Sequence, residues 1–277
     1  MERPSAKIGE LPDGRPTGVG IMWGPQRTMI YNEHYRYILE KKHPWAMGRS
    51  LGEVWPEVQA LADAIARADE TGCSSQTDRE LHFVERLGYL EEVYGSWTLV
   101  AVLCGEQSMF YATIIETTEQ VVYERQKDSL LRVEKETADA RSEAEYWSGI
   151  ARGLESNKQD APWAVVYSSK TARSSSGACT REDITSHDID FASREWKLEA
   201  GMTSGEVQLL RLSDGNFAPH LHSVSTSGAY GDRCDSAVLI PVGRSNNGYF
   251  AGFMILGIDI RRAYGEPYQA WISLLHQ

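Results

Sequence analysis

The feature that most constrains this chain is a charged run that separates two segments of mixed helix and strand character. Thirteen of the 27 residues at positions 119–145 are charged, and none is proline or glycine. Such a composition favours an exposed helix, because nothing in it interrupts the backbone and little of it can be buried. We therefore predict a long helix here that joins two domains.

An apolar stripe follows this helix and continues beyond it. Residues three and four positions apart form the stripe at Tyr123, Gln126, Leu130, Val133, Thr137, Ala140, Ala144, Trp147, Ala151 and Leu154. The spacing predicts one helical face over 119–154 that pairs two copies of the chain as a homodimer. Glutamine, threonine and alanine specify a coiled coil weakly, so a merely amphipathic helix is the alternative.

The segment before the helix predicts a first domain over residues 18–118. Two β-prone runs flank Gly24–Gln26, which is typical of a hairpin, and Asn32 suits the N-cap of a short helix. Three further β-prone runs have the spacing of an antiparallel meander. They are Glu80–Arg86, Tyr89–Leu103 and Ser108–Thr117. Residues 1–17, rich in proline, glycine and charge, predict a disordered tail.

The segment after the helix, residues 146–277, predicts a second domain. Its β-prone runs are Ala164–Tyr167, Val207–Leu212, Ala237–Val242 and Tyr249–Ile258. A closing helix is predicted over Tyr268–His276. The whole chain is therefore expected to be α+β, with two mixed antiparallel-sheet domains joined by a long helix.

Charge and cysteine usage limit the classes of partner. The formal net charge is −11 and no basic patch occurs, which disfavours nucleic acid and anionic membrane surfaces. No apolar run approaches the length of a membrane span. The cysteines are widely spaced, without a C-x-x-C pair, as expected for reduced thiols in a cytoplasmic protein. They are Cys73, Cys104, Cys179 and Cys234.

The sequence contains no convincing catalytic or metal-binding motif. The sequence has no phosphate-binding P-loop, no G-x-S-x-G elbow and no H-E-x-x-H, so we expect no catalytic residues. His220 and His222 with Cys234 are too few for a metal centre, and none is predicted. His187 follows Ser186 as in a histidine-kinase phosphoacceptor box, but the residues after Asp188 depart from that box.

Aromatic residues are concentrated in the first domain and give the strongest sign of a ligand. A subset of them is predicted to line a small, largely apolar pocket between sheet and helices. A histidine in the third β-prone run could also project inward and hold haem or another ligand, so the cofactor stays unknown. The candidate pocket residues are Trp23, Tyr31, Tyr35, Trp55, His82 and Tyr94.

Dispersed motifs in the first domain resemble a PAS domain. They are Trp23–Pro25, Tyr31 and Asn32 with Tyr35, His43–Pro44, Gly48–Arg49, Glu53–Glu57, Thr71–Gly72, Gly88–Tyr94 and Glu116–Glu119. The pattern is similar to the PAS domain near the N-terminus of bacterial and fungal multidomain sensor histidine kinases. From Trp147 onward the chain resembles the GAF domain that follows in those proteins, notably at Asp160–Trp163 and Ala237–Pro241.

The resemblance implies a sensory PAS–GAF module of a two-component phosphorelay, which senses a ligand or cue and relays it through a dimerising helix to phosphorelay proteins. The kinase and receiver motifs of that family have no counterpart in this sequence, so enzymatic activity is not expected of this chain. Two alternatives are an interaction and dimerisation scaffold with a packed PAS core, and a truncated, non-functional histidine-kinase fragment. The resemblance does not name the signal.

Overall fold

The computed structural model contains two compact units, each with its own antiparallel sheet. Unit 1 is Met1–Val121 and unit 2 is Val122–Gln277. The structure describes residues 17–56, 59–86, 88–104, 107–168, 178–179, 205–215, 228–244 and 250–276.

Unit 1 begins with a hairpin, continues through short helices and ends in a three-stranded meander. Its elements are β1 (Gly18–Trp23), β2 (Thr28–Tyr31), α1 (Glu33–Leu39), α2 (Leu51–Val54), α3 (Gln59–Thr71), β3 (Ser75–Arg86), β4 (Tyr89–Cys104) and β5 (Gln107–Glu116). The predicted hairpin and meander are confirmed, although β3 begins earlier than predicted. A register irregularity between Thr77 and Glu80 lets the polar start of β3 pair with β4.

Asn32 shows how the sequence fixes one helix start in unit 1. Its side-chain oxygen accepts a hydrogen bond from the Tyr35 N–H at 3.0 Å and another from the Val19 N–H at 2.9 Å. The residue is therefore the N-cap of α1, as predicted, and also ties that helix to β1.

The sheet of unit 1 has the order β2-β1-β5-β4-β3. Its inner face packs against α1, α2 and α3 and forms the hydrophobic core. Buried core residues from the sheet include Met22, Met29, Trp97, Leu99 and Phe110. The helices add Tyr35, Leu39, Leu51, Val54, Ala64, Ile65 and Ala68.

Unit 2 has the same strand order as unit 1. Its elements follow α4 (Thr118–Ala138), which starts in unit 1, and are α5 (Glu143–Glu155), β6 (Ala164–Ser168), β7 (Ala178–Cys179), β8 (Gln208–Arg211), β9 (Ser236–Arg244), β10 (Phe250–Ile258) and α6 (Glu266–His276). The sheet order is β7-β6-β10-β9-β8. When each sheet is numbered from its own first strand, both therefore read 2-1-5-4-3.

The prediction of one helical face running from 119 to 154 is wrong. Helix α4 ends at Ala138, and Ser142 caps the start of α5 by accepting from the Glu145 N–H at 3.2 Å. The two helices then lie antiparallel: a Cβ added at Gly149 would meet Glu136 O, and one at Gly153 would meet Val133 Cα, each at 2.6 Å. Only glycine permits so close an approach of the two backbones.

Much of the predicted stripe packs into the hydrophobic core of unit 2. Trp147, Ala151 and Leu154 are buried in that core, with Leu130 and Val133 packed against it. Tyr123 and Ala144 are exposed instead. Residues spaced three and four apart thus form the contact between two helices of one unit. The spacing predicts that an apolar face is buried, but it does not predict which part of the protein buries that face.

A buried ion pair holds α4 within unit 2. Arg125 donates from Nε and Nη2 to the two carboxylate oxygens of Asp160, at 2.9 and 2.7 Å. Asp160 is fully buried and also accepts from Asn157 Nδ2 at 2.9 Å, while its carbonyl accepts from the Tyr268 hydroxyl. A buried carboxylate satisfied in this way is stable only while its partner stays in place.

These elements confirm the predicted fold class, α+β with two mixed antiparallel sheets. None of the helices in the described part of the chain combines the length and apolar character needed to cross a membrane.

Candidate ligand-binding site

A cavity of about 270 Å³ lies in unit 1 between the inner face of the sheet and the helices. Its lining is mostly apolar and aromatic, with a few polar groups. The lining residues used below are Tyr35, Trp55, His82, Val93, Tyr94, Gly95, Trp97, Ile114 and Glu116. Mostly apolar walls with a few placed polar groups are typical of small-molecule sites, although this volume is just below the usual range of about 300–1,000 Å³.

The register of the sheet explains why the cavity opens where it does. Gly95 in the central part of β4 pairs with Glu80 of β3 on one side and with Glu116 of β5 on the other. Residues paired across antiparallel strands share a face, so all three lie on the inner face. A methyl group at Gly95 would meet Ile114 at 3.5 Å and His82 at 3.7 Å, which is ordinary contact. Gly95 therefore leaves open space in the cavity, and the fold has room for a larger side chain at this position.

Four of the six predicted pocket residues meet at the cavity. Tyr35 comes from α1, Trp55 follows α2, His82 lies on β3 and Tyr94 lies on β4. Two of them come from the helical side and two from the sheet, so the fold brings residues that are distant in sequence to one cavity.

The other two predicted residues do not line the cavity. Trp23 is 43% exposed, because its neighbour Met22 takes the inner-face position in β1 and successive strand residues point to opposite faces. Tyr31 is buried in the core, where its ring lies 5.7 Å from that of Tyr35 and its hydroxyl is 3.0 Å from His43 Nδ1. Its role there is packing behind Tyr35.

Burial controls the protonation of two cavity residues. It raises the pKa of Tyr35 to about 12, so the phenol stays neutral. It lowers the pKa of His82 from its ordinary value, and the Glu80 carboxylate, 3.8 Å from Nε2, opposes that shift in part. A histidine whose pKa is lowered is a neutral donor and acceptor near pH 7.

Two carboxylates at the cavity hold neighbouring groups in position. The Glu80 Oε2 accepts from the indole Nε1 of Trp97 at 2.6 Å, and Glu116 Oε1 accepts from the Thr118 hydroxyl at 2.9 Å. The Tyr94 hydroxyl donates to Glu92 Oε1 at 2.9 Å. These hydrogen bonds fix the side chains of Trp97, Thr118 and Tyr94.

Sequence reasoning missed Trp97, Gly95 and Glu116 as site residues. The alternation in β4 carried a usable signal, because Val93, Gly95, Trp97 and Leu99 fall on one face at a period of two. Glu116 gave no signal of its own, since only the register places it opposite Gly95.

A haem ligated by His82 would have to share that side chain with a carboxylate. His82, the suggested ligand, faces the Glu80 carboxylate at 3.8 Å.

A metal centre has little support in the part of the chain that the structure describes. There, no three His, Cys, Asp or Glu side chains gather as a metal site requires. His187, His220 and His222 lie outside the described residues. Cys234 is buried, and burial together with the Asp259 carboxylate raises the pKa of its thiol to about 12, which disfavours the metal-binding thiolate.

The strand order defines the class of fold. Both units have a sheet ordered 2-1-5-4-3 with helices packed against it. This agrees with the two-domain α+β architecture that the resemblance to PAS and GAF domains implied.

Several solved structures are similar to this chain at low identity. The chromophore-binding domain of a Stigmatella aurantiaca phytochrome is 12% identical over 94% of this chain and 92% of that one, with a TM-score of 0.34. A sensory box sensor histidine kinase from Vibrio cholerae is 17% identical over 37% and 82%, with a TM-score of 0.30. A domain of an HTR-like protein from Haloarcula marismortui is 16% identical over 38% and 100%, with a TM-score of 0.28.

Similarity at this level carries no argument about function, and the fold assignment rests on the strand orders. No protein-family model matches the chain, and no curated protein matches its sequence.

Proposed function

We propose that the chain is a sensory module in which the cavity of unit 1 binds a small, largely apolar molecule and helix α4 carries the resulting change onward. In this proposal residues 18–118 are the sensing PAS domain, 119–145 the connecting segment and 146–277 the GAF-like domain. The output is a two-component phosphorelay, as the resemblance to sensor histidine kinases implies.

One observation carries the proposal. The first residue of α4, Thr118, is hydrogen-bonded to two residues that line the cavity. The Tyr94 N–H donates to Thr118 Oγ1 at 2.9 Å, and that hydroxyl donates to Glu116 Oε1 at 2.9 Å. The neighbouring Thr117 N–H donates to the Tyr94 carbonyl at 2.8 Å. A ligand that shifts Tyr94 or Glu116 must therefore also shift, or strain, the start of α4.

Such a relay needs a difference in binding energy between two states of the helix start. A ligand changes a conformational equilibrium only by as much as its affinities for the two states differ. That difference would arise in the hydrogen bonds that Thr118 accepts from Tyr94 and donates to Glu116, because they involve both the cavity wall and the helix.

Homodimerisation is part of the proposal, but its surface changes. The face of α4 that carries Leu130 and Val133 packs into unit 2 and is not available to a second copy. Tyr123 and Leu131 on α4 are 67% and 52% exposed. We assign the dimer contact to these two residues.

The test is to fill the cavity without disturbing the fold. Gly95→Leu extends a side chain into the cavity from a position that has room for its Cβ. We expect it to weaken binding of 4-phenylbutan-1-ol, a neutral apolar probe, by about tenfold or more in isothermal titration calorimetry. Gly52→Leu is the matched control, because Gly52 lies on α2 with nothing within 4 Å of its Cβ position.

Amide hydrogen exchange gives the second readout. With the wild-type chain, the probe should change protection at the start of α4, and Gly95→Leu should remove that change. Absence of probe binding, or binding that Gly95→Leu leaves unaltered, would contradict a ligand role for this cavity.

A further inference from the structure

We infer that the cavity of unit 1 selects apolar ligands that carry a protonated amine, in preference to neutral or carboxylate ligands with the same apolar body. The inference rests on the proposed ligand-binding function and specifies the chemical class of that ligand.

The wall of the cavity carries negative charge. Among the described residues that line the cavity, none is lysine or arginine, whereas Glu116 brings a carboxylate. Glu80 adds a second carboxylate beside the cavity, because it pairs opposite Gly95 and binds the lining residue Trp97 through its indole N–H. The two glutamates thus stand on either side of Gly95, an inner-face position that has no side chain.

The spacing of the strands sets the distance between the two glutamates. Neighbouring antiparallel strands are about 4.8 Å apart, so Glu80 and Glu116 originate roughly 10 Å from each other across Gly95. A single ammonium group seated over Gly95 would lie between both carboxylates. Because part of the surroundings is apolar, such an attraction is stronger than it would be in open water.

His82 is a further titratable side chain on the sheet wall of the cavity. Its pKa is lowered by burial, so the ring is neutral near pH 7 and contributes no positive charge that would compete with an amine. His82 pairs with Val93 on the inner face and approaches the Cβ position of Gly95, which places a neutral hydrogen-bonding group beside the same spot.

The aromatic walls favour the same class. Tyr35, Trp55 and Trp97 line the cavity, and the faces of such rings attract cations. Trp55 already shows this behaviour, because the Lys42 ammonium lies 3.9 Å from its ring centroid and donates to the Val54 carbonyl. Lys42 itself does not line the cavity.

The size of the cavity limits the ligand to a compact body. At about 270 Å³ the cavity lies just below the usual range of about 300–1,000 Å³ for small-molecule sites. A single aromatic ring with a short alkyl amine chain is of this order. The negative charge of the wall disfavours ligands that carry a carboxylate, because that carboxylate would lie beside Glu80 or Glu116.

The test compares three probes that share one body: 4-phenylbutylamine, 4-phenylbutan-1-ol and 4-phenylbutanoate, titrated into the whole chain at pH 7 by calorimetry. We expect the amine to bind about tenfold or more tightly than the alcohol, and the carboxylate to bind about tenfold or more weakly than the alcohol. Equal affinities, or tightest binding of the alcohol or carboxylate, would overturn the amine assignment while leaving a ligand-binding cavity. Failure of all three probes to bind would overturn both proposals.

Charge-neutral variants locate the selectivity. Glu116→Gln and Glu80→Gln should each reduce the preference for amine over alcohol several-fold while binding of the alcohol stays within about twofold. Glu70→Gln is the matched control, since Glu70 is an exposed residue of α3 that does not line the cavity. If either cavity variant is unstable, the wild-type probe series alone still decides the assignment. A preference that survives in the double variant would refute the role of the two carboxylates.

Discussion

The Tyr94 N–H donates to the side chain of Thr118 at 2.9 Å, so the residue that lines the cavity on β4 also fixes the first residue of α4. The hydroxyl of Thr118 passes the contact on to Glu116 at 2.9 Å. The hydroxyl of Thr118 thus joins β4, the end of β5 and the start of α4.

Thr118→Val keeps the shape of the side chain but removes this hydroxyl. We expect it to cost about 1–3 kcal/mol, because the buried Tyr94 N–H loses its acceptor. Urea unfolding measures the loss, and hydrogen exchange should show that probe binding no longer alters the start of α4. Thr98→Val, on the outer face of β4, should change neither quantity; a Thr118 variant that behaves like it would exclude the relay.

Gly153→Ala tests the close approach of α4 and α5. In an isolated helix this change stabilises by up to about 1 kcal/mol. Here the added methyl would meet the Val133 backbone at 2.6 Å, so the sign should reverse and cost about 1–3 kcal/mol. The matched change Gly52→Ala, in open space on α2, should be neutral or stabilising. Thermal unfolding of the two variants compares them directly, and stabilisation by Gly153→Ala would show that the helices are further apart.

Arg125→Met should leave the carboxylate of Asp160 buried without its cation. We expect a loss of about 3–5 kcal/mol, as for other buried pairs from which one partner is removed. Arg152→Met removes the exposed partner of Glu136, a pair at 2.8 Å on the surface, and should cost less than about 1 kcal/mol. Both values come from urea denaturation, and similar costs for the two variants would contradict the buried role of Arg125.

His82 should make unit 1 sensitive to mild acid. Its pKa is lowered in the folded protein, so the unfolded chain takes up the proton first as the pH falls below its ordinary value of about 6.5. Stability should therefore decrease from that pH downward, toward the lower folded pKa, with Glu80 moderating the loss.

His82→Gln should flatten this part of the stability curve between about pH 7 and pH 5. His34→Gln, an exposed change on α1, should leave the curve as in the wild type. Denaturant midpoints measured across that range give the comparison, and identical curves for His82→Gln and the wild type would reject a contribution from His82.

Leu131→Glu, alone or with Tyr123→Glu, tests the proposed dimer surface. Both positions are exposed on α4, so the substitutions should not affect folding. If the chain is dimeric through this face, light scattering at tens of micromolar should show a shift to monomer. Glu134→Lys, an exposed change on the same helix, serves as a charge-altering control that adds no acidic group.

Local signals in the sequence were sufficient for much of unit 1. Asn32 combines a short polar side chain with a following helical pattern, and the structure uses it as the cap. Glycine-bearing breaks between β-prone runs predicted the hairpin and the meander because turns demand such residues.

Non-local facts were not predictable in the same way. The end of α4 at Ala138 lacks proline and glycine, and the local sign of the break is the capping spacing of Ser142 and Glu145 at the start of α5. Trp23 has the composition of a pocket residue, but the alternation of β1 gives the inner face to Met22. The pairing of Glu80 and Glu116 across Gly95 depends on strand register, which is fixed only when the sheet assembles.

The shared order of the two sheets has a consequence for how the chain is made. In each unit the first strand lies inside the sheet and pairs with the last, which is the central strand, β1 with β5 and β6 with β10. A nascent chain therefore cannot complete the first sheet until Glu116 has left the ribosome, nor the second until Ile258 has. The two waits are similar in length, so β1 and β6 each keep an open edge during synthesis, and we expect the folding of both units to be slow and to depend on chaperones.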